Sequence, residues 1–332
     1  MFQVKQYNKA KTFQRVINNT WIEQSIQFTT QINGGMGEFD LVLNRKDTNF
    51  TNGDIIEVYH KTTLIYVWFV GSVDYIITNY TQTRIVCYWL GSLLKQVLYN
   101  VSGDYEARIT QEPATSFSNV VAFFNTFYNY FTANTNNLGK STSYELSQTN
   151  CFDYLNIITK QADWFFWMVY NYVVYFNAIP ATSTHTFTLE KDLVKIENYN
   201  ETTQQINKYY LLISDGAGGE TLKIYNESTS QAIYWIKEKY HQDLRVQLDA
   251  TADEYANKIF SQYAYPVPRT ILTINNTHPN YYTIKPWDTC KIRNSDLVIE
   301  DNLMIYRVSF GEDITTLELA DSDNFISLIE NL

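Results

Sequence analysis

A chain of 332 residues, 45% hydrophobic and only 18% charged, can fill a sizeable core spread over about two to four modules of roughly 100–200 residues. Its apolar content leans on 27 Tyr, 19 Phe and 7 Trp, which together with Ile, Val and Thr suit pleated, half-buried surfaces and predict a mainly β protein. The formal charge of −10 excludes nucleic-acid recognition through a basic face, because neutralising phosphates takes clustered Lys and Arg.

The chain opens with Lys5, Lys9, Lys11 and Arg15, its one concentration of basic residues, which reads as a solvated surface. From Phe2 to about Lys95, short alternating or β-branched runs follow one another: Trp21 to Ile32, Glu38 to Leu43, Ile55 to His60, Leu64 to Ile77 and Arg84 to Leu90. Strands at that spacing predict a first β-barrel module over 1–95. Within it, INGGMGEFDLVLN (Ile32 to Asn44) is a glycine-rich turn feeding a strand. DIIEVYHKTTLIYVWFVGSV (Asp54 to Val73) is two strands about Lys61-Thr62-Thr63, with Gly71 interrupting the second.

The period then changes, and 96–185 reads as an α+β insertion. Thr115 or Ser116 caps a helix carrying Phe117, Val120, Val121, Phe124, Phe127, Tyr128 and Phe131 at spacings of three and four. The Asn-rich stretch 132–150 reads as a loop or poorly ordered insertion. Asn150 caps a second helix, Phe152 to Asp163, with Phe152, Leu155, Ile158 and Ala162 on one face. Trp164 to Phe176, WFFWMVYNYVVYF, imitates a membrane span, but its 13 residues fall short of the roughly 20 required. A hairpin about Tyr170-Asn171 is the economical reading, and the chain is not expected to be an integral membrane protein.

Strands resume from His185 with FTLEKDLVKIENY, QQINKYYLLIS and TLKIYN, the last two separated by the Gly-rich stretch 215–219. A third helix, Thr251 to Ala264, capped by Asp249 or Thr251, is stopped by Pro266 and Pro268 and followed by a strand from Thr270 to Asn275. Near the end the early plan returns: Trp287-Asp288-Thr289 leads into CKIRNSDLVIEDNLMIYRVSFG, two strands about a polar turn and then Gly311. The expected organisation is thus a second β-barrel split over 186–248 and 285–332, with a small helix-strand module at 249–284. The fold class is mainly β with α+β insertions, two similar β-barrel modules and smaller helical pieces.

No catalytic, cofactor or metal site emerges. Cys87, Cys151 and Cys290 are odd in number and far apart, matching neither a disulfide framework nor a metal pattern, so they read as reduced structural thiols. MFQVKQYNKAK lacks the apolar run of a secretory leader, so Asn-x-Ser/Thr matches such as Asn49, Asn79, Asn100 and Asn226 carry no weight. His60, His185, His241 and His278 have no partners at ligand spacing, and His60 and His278 lie beside turns, where a solvent-exposed imidazole is expected. The glycine clusters at 34–37 and 216–219 lead into strands, whereas a phosphate cradle leads into a helix. Asp40 with Asp54, and Asp243 with Asp249, are carboxylate pairs with nothing to fix a hydrolase geometry. No Ser lies in a nucleophile elbow. Trp68, Trp89, Trp164, Trp167 and Trp287 lie in apolar strand patterns, which favours core packing or subunit interfaces over sugar stacking.

Taken in order, INGGMGEFDLVLNR, NGDIIEVY, Phe69-Val70-Gly71-Ser72-Val73, IVCYWLGSLL, CFDYLNIITKQADWFFWMV, HTFTLEKDLVKIE, TADEYANKIFSQYA and KPWDTCKIRNSDLVIEDNLMIYRVSFGEDITTLEL resemble the tail hub family of tailed bacteriophages. That family comprises baseplate hubs and the N-terminal hub portion of tail-associated lysins. The resemblance implies a structural, non-enzymatic tail-tip protein that needs no cofactor. Two similar β-barrels per chain in a homotrimer would give six quasi-equivalent units, matching a sixfold tail tube or distal tail protein above. The threefold side would meet a receptor-binding protein, fibre or spike. A channel, closed before infection, would pass phage DNA without sequence-specific binding and would meet the tape measure protein. The implied location is the virion tail tip or baseplate, after assembly in the host cytoplasm. The sixfold-like ring would draw on Glu38 to Leu43, Leu64 to Ile77, Cys290 to Val298 and Met304 to Phe310.

Two features depart from the family plan. The chain stops about twelve residues after its last strand, at Leu332, so any peptidase or muramidase would come from another chain. The 132–150 and 215–219 stretches have no fixed family counterpart. A carbohydrate-binding adhesin using exposed aromatics, and a glycan hydrolase using paired carboxylates, are the alternatives.

Overall fold

The computed structural model describes residues 2–320 except 23–25, 33–34, 37–38, 78–80, 161, 163–164, 179, 181, 190, 202–204, 216–218, 245, 279–280, 295–296 and 312. The chain begins with strands β1 (Phe2–Tyr7), β2 (Phe13–Ile17), β3 (Phe28–Gln31), β4 (Gly35–Met36), β5 (Phe39–Leu43), β6 (Ile55–His60), β7 (Thr63–Ile77) and β8 (Thr81–Trp89). Next come β9 (Arg108–Gln111), helix α1 (Pro113–Asn125), β10 (Thr132–Thr135), β11 (Thr142–Glu145), α2 (Cys151–Lys160), β12 (Phe165–Tyr170) and β13 (Val173–Ala178). The remainder is β14 (His185–Thr188), β15 (Leu193–Glu201), β16 (Lys208–Ser214), β17 (Glu220–Asn226), α3 (Ser228–Tyr234), β18 (Glu238–Gln242), α4 (Asp249–Tyr263), β19 (Val267–Asn275), β20 (Thr289–Asn294), β21 (Leu297–Phe310) and β22 (Ile314–Ala320).

Two compact units result: 1–196 with 271–319, and 197–270 with 320–331. In the larger unit, one antiparallel sheet has the order β2-β1-β6-β7-β8-β5, and a second runs β14-β20-β21-β22-β19-β15. The early strand β3 joins the late sheet, pairing antiparallel with β21 so that Phe28 faces Phe310 across the ladder. The two sheets share one hydrophobic core, whose centre is aromatic. Phe28 lies 4.8 Å from Tyr66, 5.2 Å from Trp68 and 5.0 Å from Phe310, centroid to centroid, and Phe39 lies 4.8 Å from Trp68.

Strand β12 is buried along its whole length, which explains the apolar run that imitates a membrane span. Its alternate side chains enter different cores: Met168 and Tyr170 join the core of the two sheets, while Phe165, Trp167 and Val169 join α1 and α2 in a second cluster. A strand covered on both faces loses the usual polar alternation. The hairpin with β13 turns at Asn171, whose φ of 57° is in the left-handed region that Asn tolerates. Trp164 and Asp163 lie outside the described residues. Among the described residues no helix is long and apolar enough to cross a membrane.

Several expectations need correction. The 132–150 stretch is not a structureless loop, since β10 pairs parallel with β13 and β11 antiparallel with β9, anchored by the buried Tyr144. Helix α1 starts earlier than Thr115: Pro113 opens it and the Glu112 side chain caps it by accepting from the Thr115 amide at 3.0 Å. It also ends at Asn125, leaving Phe127 exposed. Asn150 does cap α2, accepting from the Asp153 amide at 2.8 Å. Helix α4 begins at Asp249, without a side-chain cap from Asp249 or Thr251. In the smaller unit β17-β16-β18 form a sheet of their own with α4 packed on one face. Of the Gly-rich 215–219 stretch, residues 216–218 lie outside the described residues; the Asp215 carboxylate accepts from the Gly219 amide at 2.8 Å.

Replacing Phe28 by Ala removes the ring at which both sheets meet and is expected to cost about 3–5 kcal/mol. Denaturant titration checks this; a loss below about 1 kcal/mol would mean that Phe28 is not a junction.

Candidate functional site

The feature that distinguishes this chain is a repeated device at the head of the strand that precedes and pairs with each sheet's long strand. Thr51-Asn52-Gly53-Asp54 precedes β6, and Lys285-Pro286-Trp287-Asp288 precedes β20. In both turns the Asp amide bonds back three residues, Asp54 to the Thr51 carbonyl at 3.0 Å and Asp288 to the Lys285 carbonyl at 3.1 Å. In both, the Asp carboxylate accepts from that same residue's amide, at 3.0 Å and 2.9 Å.

Each turn is then stitched to a long strand by two backbone bonds. Gly53 N–H donates to the Val70 carbonyl and Val70 N–H donates to the Asp54 carbonyl, both at 2.7 Å. Trp287 N–H donates to Ile305 at 2.7 Å and Ile305 N–H donates to Asp288 at 2.8 Å. The third residue of each turn has positive φ, 91° at Gly53 and 98° at Trp287. Beyond the turns, the strand orders match over four strands, β6-β7-β8-β5 in one sheet and β20-β21-β22-β19 in the other, each built about one long strand, while the flanking strands differ, β1 running antiparallel to β6 and β14 parallel to β20. The faint sequence recurrence is therefore a structural one.

Glycine at position 53 adopts positive φ freely, whereas Trp at 287 is strained. The strain is offset by packing, because the Trp287 ring stacks on Phe166 at 5.5 Å and contacts Tyr175 at 5.1 Å and Tyr170 at 5.6 Å. In β7 the register shifts between Val70 and Ser72, and a Cβ on Gly71 would meet the Tyr88 ring at 1.9 Å, so a side chain there requires that ring to move.

Polar tethers fix the edges of the early sheet. Arg15 forks onto Asp47 at 2.8 and 3.0 Å, and the Asp47 side chain is fully buried. Burial alone would push the Asp47 carboxyl up, but Arg15 and Asn49 together hold it below the usual range. The buried Glu57 accepts from the Tyr59 and Tyr172 hydroxyls, each at 2.6 Å. The Lys11 ammonium lies over the Tyr172 ring at 4.4 Å and donates to the Tyr130 carbonyl at 3.2 Å, where burial pushes its pKa down. The basic cluster at the N-terminus is thus partly engaged in the fold, not simply a solvated face.

The residues weighed for chemistry are placed structurally. Asp40 pairs with Arg84, Asp54 accepts from Gln6 at 2.7 Å, and Asp249 pairs with Lys223 at 2.9 Å. Trp68, Trp89 and Trp167 are buried, and Trp287 is stacked as above, so none offers an open face to a sugar. His60 is not solvent-exposed as expected: it is 8% exposed and packs on Tyr282 at 4.0 Å, Tyr281 at 5.7 Å and Phe2 at 6.0 Å. His278 is half-buried against Phe187 at 5.4 Å. His185 meets Asp288 at 2.7 Å, which ties β14 to the second lead-in turn. Among the described residues no group of three His, Cys, Asp or Glu side chains is placed to hold a metal.

No family model matches the sequence, and no curated protein matches it significantly. The likeness to known proteins is structural and spans whole chains. The prophage MuSo2 43 kDa tail protein from Shewanella oneidensis matches with a TM-score of 0.70 at 12% identity, over 98% of this chain and 99% of that one. The tail protein from Neisseria meningitidis MC58 gives 0.69 at 10% identity, covering 98% of both chains. Prophage tail protein gp18 from Listeria monocytogenes EGD-e gives 0.58 at 11%, over 99% of this chain and 97% of that one. The fold is that of these phage tail proteins.

Two outcomes follow from the geometry. Gly53→Ala is expected to cost about 1–2 kcal/mol, and Trp287→Gly to be more stable than Trp287→Ala by about 1 kcal/mol, since glycine relieves the positive φ. Equal stabilities for the two Trp287 variants in denaturant melts would contradict the strain. Burial lowers the pKa of His60, aided by the charge of Lys61, so between that lowered value and about 6.5 the unfolded chain binds more protons than the folded one. Stability is therefore complete above about pH 6.5 and falls as pH drops below it, and His60→Phe should flatten that slope. An unchanged slope would rule His60 out as its source.

Proposed function

We propose that the protein is a structural hub of a phage tail tip or baseplate, a homotrimer that adapts a sixfold tail tube or distal tail protein to a threefold tip. The observation that carries this reading is the pair of β-units with matching strand order and matching Asp-capped lead-in turns, fused in one chain through a shared core. A chain holding two alike surfaces in fixed relation offers six when three copies close about an axis, so symmetry is changed without a second protein. The whole-chain likeness to prophage tail proteins supports the setting.

On this reading no side chain performs catalysis, and function resides in interfaces. The net charge of −10 suits a channel through which DNA passes without being held, since acidic walls repel phosphates. The tape measure protein would meet the hub from the tube side, and a receptor-binding protein, fibre or spike from the opposite side, within the virion. Light scattering on the purified chain should give a mass of about 116 kDa, three chains of 38.8 kDa. A mass that stays at 38.8 kDa, even with the distal tail protein added, would overturn the proposal.

A further inference from the structure

The duplication extends to the partner of each turn's aspartate. In the first turn, the Asp54 oxygen that accepts from the Thr51 amide also accepts from the Gln6 side chain at 2.7 Å. In the second, the Asp288 oxygen that accepts from the Lys285 amide also meets His185 Nε2 at 2.7 Å. Both partners stand on the strand that flanks the turn, and in the same register. Gln6 on β1 lies opposite Ile56 and His185 on β14 lies opposite Cys290, each two residues beyond the aspartate. One flanking strand runs antiparallel and the other parallel, yet each delivers a side-chain N–H to the corresponding oxygen of its turn.

The geometry is shared and the chemistry is not. The Gln6 amide is uncharged, and it is fixed further by donating to the Asn49 carbonyl at 2.8 Å and accepting from Arg15 at 2.7 Å. A histidine side chain changes charge between about pH 5 and 8. A carboxylate only accepts, so Nε2 carries its hydrogen in both states, and protonation adds a charge to a contact already made. The pair is shielded from water, the two side chains being 19% and 14% exposed.

Asp288 is the one carboxylate within hydrogen-bond reach of the His185 ring among the described residues. On the neighbouring strand, Lys291 lies opposite Thr186 and Arg293 opposite Thr188. The Lys285 ammonium sits over the Tyr170 and Trp287 rings at 5.2 and 5.7 Å, and Asp192 accepts from the Thr188 amide at 3.0 Å. His278 packs on Phe187, whose ring also packs on His185. Uncharged bonds hold the same segment in place whatever the state of the imidazole. The Thr184 amide and hydroxyl both donate to the Thr289 carbonyl at 2.8 Å, and the Thr289 hydroxyl donates to the Thr182 carbonyl at 2.6 Å. The His185 charge therefore grades a clasp that is already closed, and the turn it grips is the one strained at Trp287.

We propose that His185 makes the second lead-in turn a pH-graded clasp, tightened on Asp288 when the imidazole gains a proton, while the first turn, gripped by Gln6, is indifferent to pH. The two halves of the duplication thus share a geometry and differ in their response to acid. The inference concerns the single chain and stands whether or not chains associate.

Amide hydrogen exchange on the full chain tests it, at about pH 5.5 and about pH 8, either side of the ordinary histidine range, with each rate divided by the intrinsic rate at its pH. The Trp287 and Asp288 amides report the second turn, and the Gly53 and Asp54 amides report the first. The ratio of protection, second turn over first, should be greater by about threefold or more at the lower pH. A change in global stability, such as that expected of His60, enters both turns alike and leaves the ratio unmoved. His185→Gln, which copies the first turn, should make the ratio independent of pH, and His278→Gln should leave its pH dependence in place. A ratio in the unaltered chain that does not change with pH would overturn the proposal, and that measurement decides even if a variant fails to fold. A pH dependence that survives in His185→Gln, or disappears in His278→Gln, would overturn it as well.

Discussion

Phe28 is the point at which the two β-units become one body. It belongs to a strand from the early part of the chain, yet that strand lengthens the late sheet, and its ring meets Tyr66 and Trp68 from the early sheet and Phe310 from the late one. A backbone ladder and an aromatic core therefore act on the same residue. The ladder fixes direction, and the edge-to-face rings fix distance and tilt. Without that junction, two similar sheets on one chain would be free to reorient, and the surfaces they present would lose their fixed relation.

The lead-in turns show how far the duplication has been kept and where it has been altered. The Asp cap, the i to i−3 bond and the double stitch to the long strand survive in both copies, because together they satisfy backbone groups that would otherwise be orphaned at a strand start. The residue at positive φ has diverged. Gly53 follows the backbone requirement, while Trp287 accepts strain and in return anchors the β12–β13 hairpin to the late sheet. One copy of the device thus also serves the insertion, which accounts for the weak sequence similarity between the two ends.

Much of this was legible in the sequence, and the exceptions have physical causes. Alternation and turn residues located most strands of the early unit, the β12–β13 hairpin and the Asn150 cap, since these are local signals. The Asn-rich 132–150 stretch was opaque because β10 and β11 are edge strands, whose pairing with β13 and β9 depends on partners distant in sequence. The same holds for β3, which nothing local assigns to the late sheet. His60 was misplaced because its burial comes from Tyr281 and Tyr282, some 220 residues further on. The recurrence of NGD and PWD was visible as a pattern, but a Trp at positive φ is too rare for sequence to suggest that the two turns share one geometry.

The proposed hub function depends on symmetry, and symmetry can be seen. Electron microscopy of the assembled chain, averaged down the particle axis without imposed symmetry, tests most directly whether paired β-units convert three chains into six positions. The expected average is a ring with threefold symmetry overall and six similar densities at its β-rich end. Particles whose averages show threefold symmetry with only three densities at every level, or no rotational symmetry, would contradict it.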